Sequence, residues 1–95
     1  MKRDTKIVRG KIQPDPTTGA IIPPIYQTAT YALEKVGKDK GFDYTRSANP
    51  TRQTMEEYLA LIEGGQFGIA FSSGMATVDS CLKLLKSGDH IICSD

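Results

Sequence analysis

Two short stretches of the sequence carry groups able to hold an anion. In Tyr44-Thr45-Arg46, a planar guanidinium fork suited to phosphate stands two residues from a phenol donor. In Phe71-Ser72-Ser73-Gly74-Met75-Ala76, an apolar run ends in small residues just before a helix-forming stretch. A helix N-terminus offers unpaired N–H groups and the positive end of the dipole, and Gly74 lets a ligand approach the backbone closely. Each stretch also has an ordinary reading, Arg46 as a surface charge and Ser-Ser-Gly as an N-cap and turn. Neither is a P-loop or a dinucleotide fingerprint, since GxxxxGK[ST] and GxGxxG are both absent. What draws attention is their occurrence in order, with a capped helix between them.

The elements that must position these groups are partly legible. Residues 1–20 show no helical or strand periodicity, and Pro14, Pro16 and Gly19 interrupt them, so they read as an irregular arm. Residues 21–33 are β-branched and aromatic, but Pro23-Pro24 removes backbone donors and points to an extended segment rather than a central strand. A polar loop follows at Gly37–Gly41. Asn49 as N-cap and Pro50 at the first helical position then predict a helix with Met55, Tyr58, Leu59 and Ile62 on its buried face, stopped at Glu63-Gly64-Gly65. Phe67–Phe71 reads as a short strand. Ser72-Ser73-Gly74 opens a second helix with a buried stripe of Met75, Val78, Cys81, Leu82 and Leu85, ended by Lys86-Ser87-Gly88. His90–Cys93 reads as another strand, which completes a βαβ crossover of a parallel sheet.

Two short strands and one crossover helix leave both sheet faces and both edges under-covered, so the 95 residues are expected to be the N-terminal piece of a larger α/β protein. Composition agrees with a globular protein, 39% apolar and 24% charged with net charge +1. Residues 1–49 carry nine Lys/Arg against five Asp/Glu, and residues 50–95 three against six, giving +4 and −3. The basic half, with Lys2, Arg3, Lys6, Arg9 and Lys11, has no Lys/Arg block, so a nucleic-acid arm is a weak alternative. No run of eighteen apolar residues and no apolar leader stretch after Met1-Lys2-Arg3-Asp4 occur, so neither membrane insertion nor secretion is expected and a cytoplasmic location is. Cys81 and Cys93 match no metal-site or redox spacing and read as buried reduced thiols. No metal site is expected.

Taken together, Thr5–Gly10, Ile22-Pro23-Pro24-Ile25-Tyr26-Gln27-Thr28, Phe42–Arg52 and Ala70–Thr77 resemble the Cys/Met-metabolism pyridoxal-phosphate enzymes of transsulfuration, which include cystathionine γ-synthase, cystathionine γ-lyase and methionine γ-lyase. Tyr-x-Arg, Asn-Pro-Thr and Ser-Ser-Gly-Met in this order are far more specific than any one of them. The resemblance covers nearly the whole chain, though only about the first quarter of a family member.

The resemblance implies an α/β protein of the fold-type I, aspartate aminotransferase-like class, of which this chain holds an N-terminal extended arm and the first βαβ part of the large domain. Residues 1–49 would be the arm that contacts a neighbouring subunit, and residues 50–95 the beginning of the domain that binds pyridoxal 5'-phosphate. It further implies a homotetramer of active dimers, an amino-acid substrate, and a cofactor phosphate held by the amides of Gly74 and Met75 and reached from the other subunit by Tyr44 and Arg46. Thr45 stands where relatives often have Ser. The family's Schiff-base lysine, its ring-stacking tyrosine and its other catalytic groups would lie beyond Asp95, so none is expected here and the 95 residues alone are expected to be inactive. Lys83 and Lys86 sit where lysines ordinarily end a helix and His90 at a strand entry, and none is offered as a substitute. The expected activity is γ-replacement joining cysteine to an activated homoserine, with γ-elimination as the alternative; a phosphate-binding or assembly module is the non-enzymatic alternative.

Overall fold

The computed structural model describes residues 2–10 and 13–94; Lys11 and Asp95, named above, lie outside the described residues. Three helices form: α1 (Arg3–Arg9), α2 (Pro50–Glu63) and α3 (Gly74–Leu82).

Helix α2 starts and stops where its end residues require. Asn49 is extended at φ −145° and ψ 134°, its side chain accepts from the Thr51 N–H, and Pro50 occupies the position whose N–H would be orphaned anyway. Gly64 then takes the left-handed conformation, φ 72°, and its N–H closes onto the Ala60 carbonyl. The expected buried face is only half realised. Tyr58 and Ile62 are partly covered, Met55 and Leu59 are exposed, and Ala60 is the helix residue that is buried.

Helix α1 corrects the expectation of an irregular arm over residues 1–20. Thr5, Ile7 and Val8 are poor helix formers, which is why no helical pattern stands out. Compensation comes from charge, with Asp4 in the first turn and Lys6 and Arg9 in the last, and from packing on α2. The Tyr58 hydroxyl donates to the Arg9 carbonyl at 3.1 Å, and its ring lies so close over Gly10 that a Cβ there would collide with it. Beyond α1, residues 15–20 close a small loop in which Asp15 accepts from the Thr17 and Thr18 N–H groups and the Thr18 hydroxyl.

The βαβ unit is not realised as a sheet. Among the described residues the β-pairings are single antiparallel bridges, Thr30 with Tyr44 and Lys35 with Lys38, and neither 67–71 nor 90–93 forms a ladder. A strand needs another backbone about 4.8 Å away to take its N–H and C=O groups, and these two segments have none. Residues 67–71 instead lie against α2, where a Cβ at Gly68 would strike the Glu56 carbonyl and the Ala70 N–H donates to Glu56 Oε1 at 2.8 Å. Helix α3 is capped as expected, Ser73 Oγ accepting from the Ala76 N–H at 3.1 Å, but it ends at Leu82 rather than at Lys86. Its last turns tighten to i→i−3 bonds, Leu84 to Cys81 and Leu85 to Leu82. No residue of α3 is buried, and the intended stripe is open, as are Cys81 and Cys93, which were expected inside. For the stripe and Cys81 the reason is that α1 and α2 touch one another and neither touches α3.

The radius of gyration is 17.3 Å, against about 12 Å for a compact chain of this length. Phe67, Ile69, Met75, Leu84 and Ile92 all stand in the open. Among the described residues no helix is long and apolar enough to cross a membrane, and no group of three or more His, Cys, Asp or Glu side chains is gathered.

The 95-residue polypeptide produced alone is therefore expected to denature gradually by circular dichroism; a sharp, concentration-independent melt would show a self-sufficient core. The Asp15 carboxyl should titrate below its ordinary 3.8, because the Thr18 backbone N–H, the Thr18 hydroxyl and then the Thr17 N–H all favour its ionised form. Its folded pKa being depressed, the support it gives the 15–20 loop is present above the unfolded pKa and lost as pH falls through the folded one. A carboxyl NMR titration of Asp15 at or above the ordinary value would contradict this.

Candidate functional site

The Tyr44–Arg46 stretch is held by the start of α2. Residues 29–31 and 43–45 run antiparallel, with Tyr31 N–H donating to the Asp43 carbonyl at 3.1 Å and Thr45 N–H to the Ala29 carbonyl at 2.9 Å. The Thr45 hydroxyl adds a bond to the Thr28 carbonyl. The chain then turns, Ser47 and Ala48 N–H both reaching the Tyr44 carbonyl at 3.0 Å.

Asn49, 6% exposed, joins this turn to the helix. Its Oδ1 caps Thr51 N–H at 2.8 Å, while its Nδ2 donates to the Tyr26 carbonyl at 3.2 Å and to Thr45 Oγ1 at 3.1 Å. Thr51 Oγ1 answers by accepting from the Tyr26 N–H at 2.9 Å. Arg52, one turn into the helix, folds back over the same loop. Its Nη1 donates to the Thr45 and Arg46 carbonyls at 3.2 and 3.3 Å, and its Nη2 to the Ser47 carbonyl at 2.7 Å.

Within this frame Tyr44 and Arg46 stand together. Arg46 Nη2 lies 3.4 Å from Tyr44 Oη, and its guanidinium carbon is 5.5 Å from the Tyr44 ring centroid. Among the described residues Arg46 forms no salt bridge, so its charge is free for an external anion.

The second candidate lies at the N-terminus of α3. Ser73 supplies both the cap to Ala76 N–H and the carbonyl that takes Thr77 N–H, which leaves the amides of Gly74 and Met75 ahead of the helical ladder. A Cβ at Gly74 would meet nothing within 4 Å, and Met75 is exposed, so these amides look onto open space. The structure thus brings Tyr44 to Arg46 and Gly74 to Met75, but no hydrogen bond or ion pair joins the two pairs within one chain. Sequence reasoning missed Arg52 and saw in Asn49 only a cap. The spacing of Arg52 and Glu56 at i and i+4 was a visible signal for an ion pair; the three carbonyls that Arg52 gathers carry no side-chain signature.

Residues 4–95 match the model of the Cys/Met metabolism PLP-dependent enzyme family. The chain belongs to that family. The cystathionine beta-lyase of Lactococcus lactis subsp. cremoris is 50% identical over 91 residues, which cover 96% of this chain and 24% of the relative. The cystathionine gamma-lyase of Bacillus subtilis is 44% identical over 95 residues, 100% of this chain and 25% of the relative. Among solved structures, cystathionine gamma synthase from Xanthomonas oryzae pv. oryzae, crystallised with aminoacrylate and cysteine, is 37% identical with a TM-score of 0.74, over 87% of this chain and 21% of that one. The chain thus spans about a quarter of the length of the family members it matches. The family's cofactor is pyridoxal 5'-phosphate (PLP).

Asn49→Ala is expected to destabilise the full-length protein by about 2–3 kcal/mol, roughly 1 for the cap and about as much for each lost donor bond. Asn49→Ser should restore the cap share alone. A denaturation midpoint unchanged by Asn49→Ala would contradict the joining role.

Proposed function

We propose that this chain supplies the cofactor-phosphate end of a PLP enzyme that makes or cleaves cystathionine. The observation that carries the reading is the ordered pair of anion-ready groups, Tyr44 with Arg46, which forms no salt bridge among the described residues, and the amides of Gly74 and Met75 ahead of the helical ladder opened by the Ser73 cap. These residues fit the phosphate of PLP, a dianion suited to backbone N–H groups at a helix start and to a guanidinium fork. When bound, PLP supplies an electron sink for the α-carbon of an amino acid. The residues of this chain bind and orient: Gly74 and Met75 hold the phosphate through their amides, while Arg46 and the Tyr44 hydroxyl neutralise and direct it.

In keeping with the family resemblance, Tyr44 and Arg46 are assigned to the phosphate of a second copy, and no hydrogen bond or ion pair ties them to Gly74 or Met75 of their own chain. In this reading residues 1–49 are an arm laid on that copy, residues 50–95 begin the PLP-binding domain, and the assembly is a homotetramer of active dimers. Exposed Val78, Leu82 and Ile92 fit faces that further chain or a second copy would cover.

For the reaction we retain γ-replacement, joining cysteine to an activated homoserine, in keeping with the likeness to the Xanthomonas synthase. Cleavage of cystathionine is the second reading, favoured by 50% identity to a beta-lyase and 44% to a gamma-lyase. Steady-state assays of the full-length protein should give cystathionine from activated homoserine plus cysteine faster than they give pyruvate or 2-oxobutyrate from cystathionine. The reverse order would transfer the assignment to a lyase, and inactivity in all of them would remove it. Arg46→Ala should raise the Kd for PLP, read by absorbance titration of the apoprotein, by at least about tenfold, the loss expected when a charge-assisted contact worth about 1.5–3 kcal/mol is removed. An unchanged Kd would refute the phosphate role.

A further inference from the structure

Arg52 is placed unlike an ordinary helix-surface arginine. Its guanidinium gathers three successive carbonyls, those of Thr45, Arg46 and Ser47, which belong to the loop that presents Tyr44 and Arg46. On its other side Nε lies 3.7 Å from Glu56 Oε1, and both side chains are largely covered, 33% and 21% exposed. The same Glu56 oxygen accepts the Ala70 N–H at 2.8 Å. A continuous polar path therefore runs from the Tyr44–Arg46 loop through Arg52 and Glu56 to Ala70, three residues ahead of the Ser73 cap. The path walls an open cleft of about 420 Å³ between the loop, α2 and residues 69–70.

We propose that Arg52 and Glu56 form a positioning pair that anchors both the Tyr44–Arg46 loop, which reaches a second copy's cofactor phosphate, and the segment leading to this copy's own Gly74 and Met75, and so sets how tightly the phosphates at both sites are held. The inference rests on the reading of those four residues as the phosphate site. Its physical basis is geometric. Two nitrogens of one rigid, planar guanidinium serve the three carbonyls within 3.3 Å, whereas a lysine ammonium offers its donors from a single point on a flexible stem and gives the loop no such fixed orientation. Glu56 fixes the fork's orientation from behind while pinning Ala70, so the loop and the residues before α3 share one anchor. Neither side chain touches the anion. Both act through the loop, much as an orienting partner behind a metal ligand tunes the metal.

The test uses full-length apoprotein titrated with PLP and, separately, with pyridoxal, which lacks the phosphate. Arg52→Lys keeps the charge and removes the fork; it should raise the PLP Kd by about tenfold, the lower end of what loss of an orienting partner costs, and leave the pyridoxal Kd within twofold. Glu56→Gln keeps an acceptor for Ala70 N–H but loses the ionic hold on Arg52, and should raise the PLP Kd in the same phosphate-dependent way by a smaller factor. Amide exchange at Ser47 and Ala48 should quicken in both variants. If PLP and pyridoxal weaken together, Arg52 is merely structural and the proposal is overturned. It is overturned equally if Arg52→Lys binds PLP like the parent while Arg46→Ala does not. If Arg46→Ala itself leaves PLP binding unchanged, the failure belongs to the phosphate-site reading, and the positioning proposal falls with it.

Discussion

The side-chain amide of Asn49 uses both of its N–H donors and its oxygen to hold three separate pieces of chain together. Its oxygen starts α2, and its nitrogen reaches the Tyr26 carbonyl and the Thr45 hydroxyl. Among the described residues Asn49 is the one side chain that bonds the segment after Pro23-Pro24, the loop after the antiparallel pair at Thr30 and Tyr44, and the helix together; Thr51 and Arg52 each tie the helix to one of the two, while the apolar contacts here are sparse. A buried amide with each group paired is costly to disturb, because any lost partner leaves a polar group out of water. Orientation in this part of the molecule is therefore carried by polar bonding, where a small domain would ordinarily rely on a hydrophobic core.

From that junction the order spreads outward through α2. Arg52 secures the backbone of the Tyr44–Arg46 loop, and Glu56 ties the helix to Ala70. Tyr58, on a later turn, receives α1 over Gly10. Helix α3 falls outside this reach, which explains why its capped N-terminus is well formed while its apolar stripe has nothing against it. The proposed division of the phosphate site between a loop on α2 and the start of an uncovered helix suits a protein in which separate copies complete one another, and uncovered apolar faces fit the same proposal.

How much of this could be read beforehand depended on whether the cause was local. The cap at Asn49-Pro50, the stop at Gly64 and the cap at Ser73 are decided by a few neighbouring residues, and their positions were plain in the sequence. Helix α1 was hidden because β-branched Thr5, Ile7 and Val8 argue against it, and it is sustained by a contact with Tyr58 forty-nine residues after Arg9. The segments at 67–71 and 90–93 have strand-like composition but no neighbouring strand, so composition did not become a ladder. Tyr44, Arg46, Gly74 and Met75 stand out in the sequence by donor type and order along the chain, and the anion role they suggest is the proposal made above. Arg52 does not stand out, because its role lies in main-chain carbonyls that every sequence possesses.

If two copies of this chain hold one cofactor phosphate, as proposed, a crystal structure of the full-length protein with PLP shows it most directly. The phosphate oxygens should then lie within hydrogen-bond distance of the Gly74 and Met75 amides of one copy and of the Tyr44 hydroxyl and Arg46 guanidinium of another. A phosphate bound away from these groups, or all four reaching it from a single copy, would contradict it.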